Sequence, residues 1–194
     1  MIRDRRVALD LEGVCADTHA AVYRESDVFD HDVDHPRSWD FDSGDELGEF
    51  LEVSATIWET DPLSIPPCDP DVADYVAMLR ESHEVHMVTN RHGVDEQVQQ
   101  WLDHHGIEVD GFKSNPPETP KAVFEKSTEN PNGFDFFIDD KPGLAFEVDR
   151  LFLVDQPWNW DVEADDHQVI RVGDRGGGAL RDVLNDLYAG PIRQ

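Results

Sequence analysis

The stretch RRVALDLEGVCADTH, residues 5–19, contains a short apolar run, 7–9, that ends on Asp10. Glu12 and Gly13 follow it. An apolar run of this length bounded by turn residues reads as a buried strand. The acid-x-acid spacing carries little by itself. Of 194 residues, 43 are Asp or Glu, and that frequency gives about nine such pairs by chance. Position gives the pair its weight. Residues two apart on an extended segment point the same way. Gly13 lets the chain turn. In open α/β sheets, ligands bind outside the carboxyl ends of the strands.

Further apolar runs repeat the pattern. EVHMVTN (84–90) ends near Thr89, FDFFIDD (134–140) ends at Asp139, and RLFLVD (150–155) and QVIRVG (168–173) add two more strands. VDGF (109–112) is a candidate short strand. Helical spacing lies between them. Val72, Val76 and Leu79 fall on one face, as do Val94, Val98, Trp101 and Leu102, with Gly106 placed to stop the helix. TPKAVFEKS (119–127) reads as a helix with Pro120 in its first turn, and Leu180, Val183, Leu184 and Leu187 mark the last one. Strands alternating with helices predict an α/β fold: a Rossmann-like parallel sheet with helices on both faces. Residues 16–69 break the rhythm with acids, aromatics and prolines. They are expected to form a small, mainly helical cap inserted after the first strand, leaving 1–15 and 70–194 as the core domain. GDRGGG (173–178) lacks a P-loop lysine and the GxGxxG spacing, and reads as a loop.

Composition narrows the function classes. Hydrophobic residues make up 39% of the chain, enough for one core, and the formal net charge is -27. Twelve of the 16 basic residues are Arg and only four are Lys. The acids are spread along the whole chain. This bias resembles that of proteins from extreme halophiles, where ~1 M salt shortens the Debye length to about 3 Å and surface acids barely repel. No basic cluster beyond RDRR (3–6) suits a nucleic-acid polymer. No apolar run is long enough to span a membrane, and the charged N-terminal stretch does not read as a signal peptide. Cys15 and Cys68 lie in no CxxC pattern; they could form one disulfide, though nothing demands it, and a reduced cytoplasmic setting is the default expectation.

The strand ends carry complementary chemistry. Thr89 offers a hydroxyl, Asn90 follows it, and Asp139 and Asp140 offer adjacent carboxylates. Asp165 and Asp166 form the other Asp-Asp pair but follow no apolar run. Lys121 opens the helix before the third strand. A carboxylate nucleophile, a hydroxyl and a lysine for phosphate, and further carboxylates for Mg²⁺ together make up a phosphoryl-transfer site.

In this order, DLEGV, VTN, Lys121 and IDDKP, the chain resembles haloacid dehalogenase superfamily phosphatases over nearly its whole length. IDDKPG, LVDQPWNW and SWDF (38–41) make it most similar to the 5′(3′)-deoxyribonucleotidase branch. The resemblance implies that Asp10 attacks phosphorus and forms an aspartyl-phosphate. It implies a Mg²⁺ site between Asp10 and Asp139, with Asp140 assisting and the main chain of Glu12 as a further ligand. Thr89 and the main-chain N–H of Asn90 would hold the phosphoryl oxygens, and Lys121 would neutralise charge on them; Lys113 and Lys126 are rivals for that role. The implied substrate is a small phosphorylated metabolite, with nucleoside monophosphates leading. A homodimer is compatible with the sequence.

Glu12 departs from the usual pattern, which has Asp two residues after the nucleophile. Reference pKa values of about 3.9 and 4.3 make the two acids similar in strength. Their reach differs by more than ~1 Å, and misplacement of that size can cost on the order of 100-fold. The enolase-phosphatases of the superfamily resemble this chain in carrying Asp-x-Glu-Gly. Two readings follow. Glu12 protonates the leaving group and later activates water, or it is a poor acid on a weakly active or non-catalytic phosphate-ester binder.

Other residues have bland readings beside the functional ones. The nine His show no zinc-like spacing and read as solvated or structural. Trp39, Phe41, Trp58, Trp158 and Trp160 could stack on a base or fill a core. Arg24 and Arg37 read as surface ion pairs, and Cys15 as a buried small residue.

Overall fold

The computed structural model describes residues 5–26, 44–116, 119–163, 168–173 and 178–189. Six parallel strands form one sheet in the order β3-β2-β1-β4-β5-β6. They are β1 (Arg5–Leu9), β2 (His83–Thr89), β3 (Gly111–Ser114), β4 (Phe136–Asp139), β5 (Leu151–Val154) and β6 (Val169–Val172). The chain runs outward from β1 to β3, crosses back to β4, and runs outward the other way. The order therefore reverses beside β1, and such a switch point leaves a crevice at the carboxyl ends of the strands. Register places the acids there. Leu9 opposes both Met87 and Ile138, and Asp10 N donates to Ile138 O at 2.9 Å. Asp10 and Asp139 thus leave neighbouring strands side by side.

Strand alternation divides the core. Val7, Leu9, Val85, Met87, Phe136, Ile138, Phe152 and Val154 belong to one cluster with buried residues of α3 (Val72–Arg80), α4 (Asp95–His104) and α5 (Ala179–Ala189). Ala8, Val88, Phe137, Leu151 and Leu153 belong to a second, with Leu144 and Ala145. The second face is covered by short 3-10 helices at Lys121–Phe124 and Pro142–Phe146 instead of long α-helices. The helix expected over 119–127 is the first of these, a turn of four residues. Glu125 is already extended, and Lys126 N and Phe134 N bond to Phe134 O and Phe124 O, so chain pairing ends the helix. The α4 pattern behaves as its spacing predicts: Val98, Trp101 and Leu102 are buried, and Gly106 takes φ 68 at the stop.

Between β1 and β2, the described part of 16–69 forms α1 (Thr18–Glu25), α2 (Gly44–Thr60) and a 3-10 turn at Pro62–Ser64. Asp17 caps α1 by accepting from Ala20 N at 2.9 Å. The segments entering and leaving this insertion pair with each other: Asp17 N donates to Pro66 O and Cys68 N to Cys15 O, both at 2.8 Å. SWDF, with Arg37, Trp39 and Phe41, lies outside the described residues, as do Asp165 and Asp166. Among the described residues no helix is long and apolar enough to cross a membrane.

Candidate active site

Asp10 follows β1, Asp139 ends β4 and Asp140 follows it. Together they form a buried group of carboxylates with oxygens within 4.8 Å of one another. Lys121 is inserted between two of them. Its Nζ lies 2.8 Å from Asp10 Oδ1 and 2.6 Å from Asp139 Oδ2, and the residue is only 1% exposed. The 3-10 turn that opens at Lys121 brings it over the strand ends. The rival lysines are engaged elsewhere: Lys113 lies over the Phe124 ring, and Lys126 pairs with Asp135 at 2.8 Å. Main-chain donors fix the carboxylates further. Leu11 N binds Asp10 Oδ1 at 2.7 Å and Lys141 N binds Asp139 Oδ1 at 2.9 Å.

Three acids and one lysine leave a surplus of negative charge in a dry place. Burial, then Asp139, pushes Asp10 up to about 7. Burial, then Asp10 and Asp139, drives Asp140 well above its ordinary range. Burial would lower Lys121, but Asp10 and Asp139 outweigh it and hold the lysine above its usual value. Asp140 Oδ2 is buried with no hydrogen-bond partner. An all-oxygen donor set with an orphaned carboxylate oxygen fits a hard divalent cation such as Mg²⁺. Asp10, Asp139 and Asp140 are the side chains that could hold it.

The carboxylate of Glu12 takes a different direction from those three. Arg91 Nη2 lies 2.6 Å from its Oε1 and Arg91 Nε 3.3 Å from its Oε2, while Trp58 Nε1 donates to Oε1 at 3.2 Å. Burial would raise Glu12, but the Arg91 guanidinium wins and holds it below the ordinary range. Gly13 has φ +75, and a Cβ there would meet Asp140 Oδ2 at 2.1 Å. The loop thus needs glycine for its backbone and for the approach of Asp140.

Thr89 is buried, and its Oγ1 accepts from Arg91 N at 3.0 Å. Asn90 is exposed at the same strand end, with its Oδ1 held by Asn115 Nδ2 at 2.8 Å. A cavity of 490 Å³ joins these groups to the insertion. Asp10, Glu12, Thr89 and Asn90 line it from the core side, and His19, Phe50, Leu51 and Ala55 from α1 and α2.

Several residues in this arrangement escape sequence reading. Arg91 adjoins VTN but nothing in the sequence marks its partner. Asn115, and Ser54 whose Oγ accepts from Arg91 Nη2, carry no motif. DQPWN acquires a physical role: Gln156 Nε2 donates to Gly13 O, and Asn159 Nδ2 to Asp140 O, both at 2.8 Å. That segment holds two site loops in place. Trp58 is fully buried and touches Trp101 edge-on, so it is core and not a stacking platform. Trp158 is buried and stacks on His19 at 4.2 Å, whereas Trp160 is 54% exposed. Arg24 makes surface contacts with Glu25 and Ser64 O, and Cys15 is buried.

No protein-family model matches the chain, and no curated protein matches it. Solved structures match in fold. A haloacid dehalogenase-like family hydrolase from Streptococcus pneumoniae is 14% identical, with 95% of this chain and 98% of that one covered and a TM-score of 0.57. A haloacid dehalogenase-like family hydrolase from Xanthomonas campestris is 15% identical, with 98% of each chain covered and a TM-score of 0.50. At these identities the likeness is one of fold, and it extends over nearly the whole length of the chains compared.

Proposed function

We propose that the protein is a Mg²⁺-dependent phosphomonoester hydrolase that works through an aspartyl-phosphate on Asp10. The observation that carries this reading is the buried contact of Lys121 with Asp10 and Asp139 at the switch point of the sheet, with Asp140 beside them. The likeness in fold to haloacid dehalogenase-like hydrolases supports it. Asp10, Asp139 and Asp140 would hold Mg²⁺, with the main chain of Glu12 as a further ligand. When bound, the cation offsets the negative charge that a phosphate ester brings to three carboxylates.

The chain's own residues divide the remaining work. An Asp10 carboxylate oxygen attacks phosphorus, and the bond to the leaving oxygen breaks. Lys121, Thr89 and the Asn90 N–H hold the three phosphoryl oxygens as charge grows on them. Glu12 gives a proton to the departing oxygen and takes one from the water that cleaves the aspartyl-phosphate. The products are the free alcohol and inorganic phosphate, and Asp10 is regenerated. The cavity supports a small phosphorylated metabolite. His19 and Phe50 on its far side favour a planar leaving group, which keeps nucleoside monophosphates as the first candidates.

A second reading has a specific observation behind it. Glu12 is held by Arg91 and by Trp58, which favours its ionised form over a proton donor. A weakly active phosphate-ester binder follows if that grip persists with substrate. A phosphometabolite screen in Mg²⁺ and molar KCl tests the first reading. Wild type is expected to release phosphate and Asp10→Asn to lose turnover. Glu12→Asp then separates the two: a large rise in turnover marks a handicapped native enzyme, and a fall marks Glu12 as fitted to its own geometry.

A further inference from the structure

Cys15 and Cys68 are the only cysteines of the chain, and both are free thiols in the structure. They lie on opposite sides of the insertion, one where the chain leaves the Asp10 loop and one where it returns. These two segments pair antiparallel, with Ala16 facing Pro67. The hydrogen bonds Asp17 N to Pro66 O and Cys68 N to Cys15 O flank that pair. One step along the same register, Cys15 faces Cys68. Directly opposed residues of an antiparallel pair have Cα atoms about 4.5–5.5 Å apart, with side chains on one face. A disulfide spans Cα separations of about 4.4–6.8 Å. Cys15 is wholly buried, while Cys68 is partly exposed, which makes it the first of the two that a small reagent would meet. Burial, then Asp17 and Cys15, pushes the Cys68 thiol up, so the sulfur rests protonated and its exchange is slow.

We propose that Cys15 and Cys68 are a dithiol site that closes reversibly to a disulfide under a low-molecular-weight disulfide oxidant, stapling the base of the insertion beside the Asp10 loop. The exchange balances in two steps. The Cys68 sulfur, losing its proton, attacks one sulfur of the oxidant and expels the first thiol. The Cys15 sulfur then attacks Cys68 in the mixed disulfide and expels the second. Two protein thiols and one small disulfide become one protein disulfide and two small thiols. The staple is anchored to the loop that carries Asp10 and Glu12. Gly13 N donates to Ala16 O and Cys15 N to Leu11 O, both at 2.9 Å.

The test uses the native full chain in molar KCl and does not depend on any catalytic activity. Protein exposed to glutathione disulfide is denatured, alkylated and weighed. The expected product is about 2 Da lighter than the reduced chain, takes up no alkylating reagent and returns to two thiols with dithiothreitol. Digestion is expected to give one peptide pair joined through Cys15 and Cys68. Closing a loop of this length is also expected to raise the Tm by about 5 °C or more, a shift absent in Cys68→Ser. Two alkylatable thiols after exposure overturn the proposal. So does a glutathione adduct that stays on Cys68 without closing, or a link between two chains.

Discussion

Arg91 Nη2 stands 2.6 Å from Glu12 Oε1 and 2.5 Å from Ser54 Oγ. One guanidinium therefore ties the residue two places after Asp10 to helix α2 of the insertion. Trp58 from the same helix reaches Glu12 as well. The acid expected to move protons is set where the insertion meets the core, and its charge is balanced by a residue from the end of β2.

Removing that balance has a signed consequence. Burial pushes Glu12 up and Arg91 holds it down. In Arg91→Met the strongest downward pull is gone and burial gains weight, so Glu12 keeps its proton to higher pH. The alkaline limb of the kcat/KM profile, where Glu12 loses the proton it gives to the departing oxygen, is expected to move up by about 1 pH unit or more. Stability is expected to fall by about 1–3 kcal/mol, because Glu12 loses its main partner. An unchanged limb would separate Glu12 from the proton transfer.

The acids at the switch point predict how Mg²⁺ and pH act together. Asp10 has a folded value raised from 3.8 to about 7. Between these values the folded state binds more protons than the unfolded chain, so without a divalent cation stability falls as pH rises through that window. A cation favours the deprotonated carboxylates and reverses the loss. Millimolar Mg²⁺ is expected to raise the Tm more at about pH 8 than at about pH 5, and Asp140→Asn is expected to shrink the difference. Thermal shifts equal at both pH values would contradict the assignment of these three carboxylates.

Gly13 should tolerate no side chain. Its φ of +75 costs an alanine, and the added Cβ would lie 2.1 Å from Asp140 Oδ2. Gly13→Ala is expected to lose about 1–3 kcal/mol of stability. Turnover is expected to drop at least tenfold through displacement of Asp140. Urea unfolding and steady-state kinetics check the two effects separately.

A chain of net charge -27 should depend on salt. Raising KCl from about 0.1 M to about 1 M shortens the Debye length from about 10 Å to about 3 Å and screens the repulsion among surface acids. The Tm is expected to rise across that range and to fall in dilute buffer. A flat salt response would remove the halophile-type reading of the composition.

Five of the six strands were legible as apolar runs, and the candidate positions 10, 89 and 139 fall at strand ends by the same reading; β3 has no apolar run of its own and shares only Gly111 and Phe112 with the expected 109–112. What the sequence hid is contact across distance. Arg91 is one of 12 arginines, and its bond to Glu12 joins residues 79 positions apart. Asn115 orients Asn90 from the end of β3 with no motif around it. The helix expected at Lys121 stops after four residues because its continuation pairs with Phe134, a tertiary event that helical spacing does not encode. The facing of Cys15 and Cys68 likewise depends on two segments meeting at the base of the insertion.

The most direct measurement follows the phosphoryl group. Protein mixed with a radiolabelled phosphate ester and Mg²⁺ in molar KCl is quenched in acid during a single turnover and digested. The label is expected on the peptide that contains Asp10, to be released by hydroxylamine as an acyl phosphate is, and to be absent in Asp10→Asn. Turnover without protein-bound label, or label on another residue, would contradict the role of Asp10 as nucleophile.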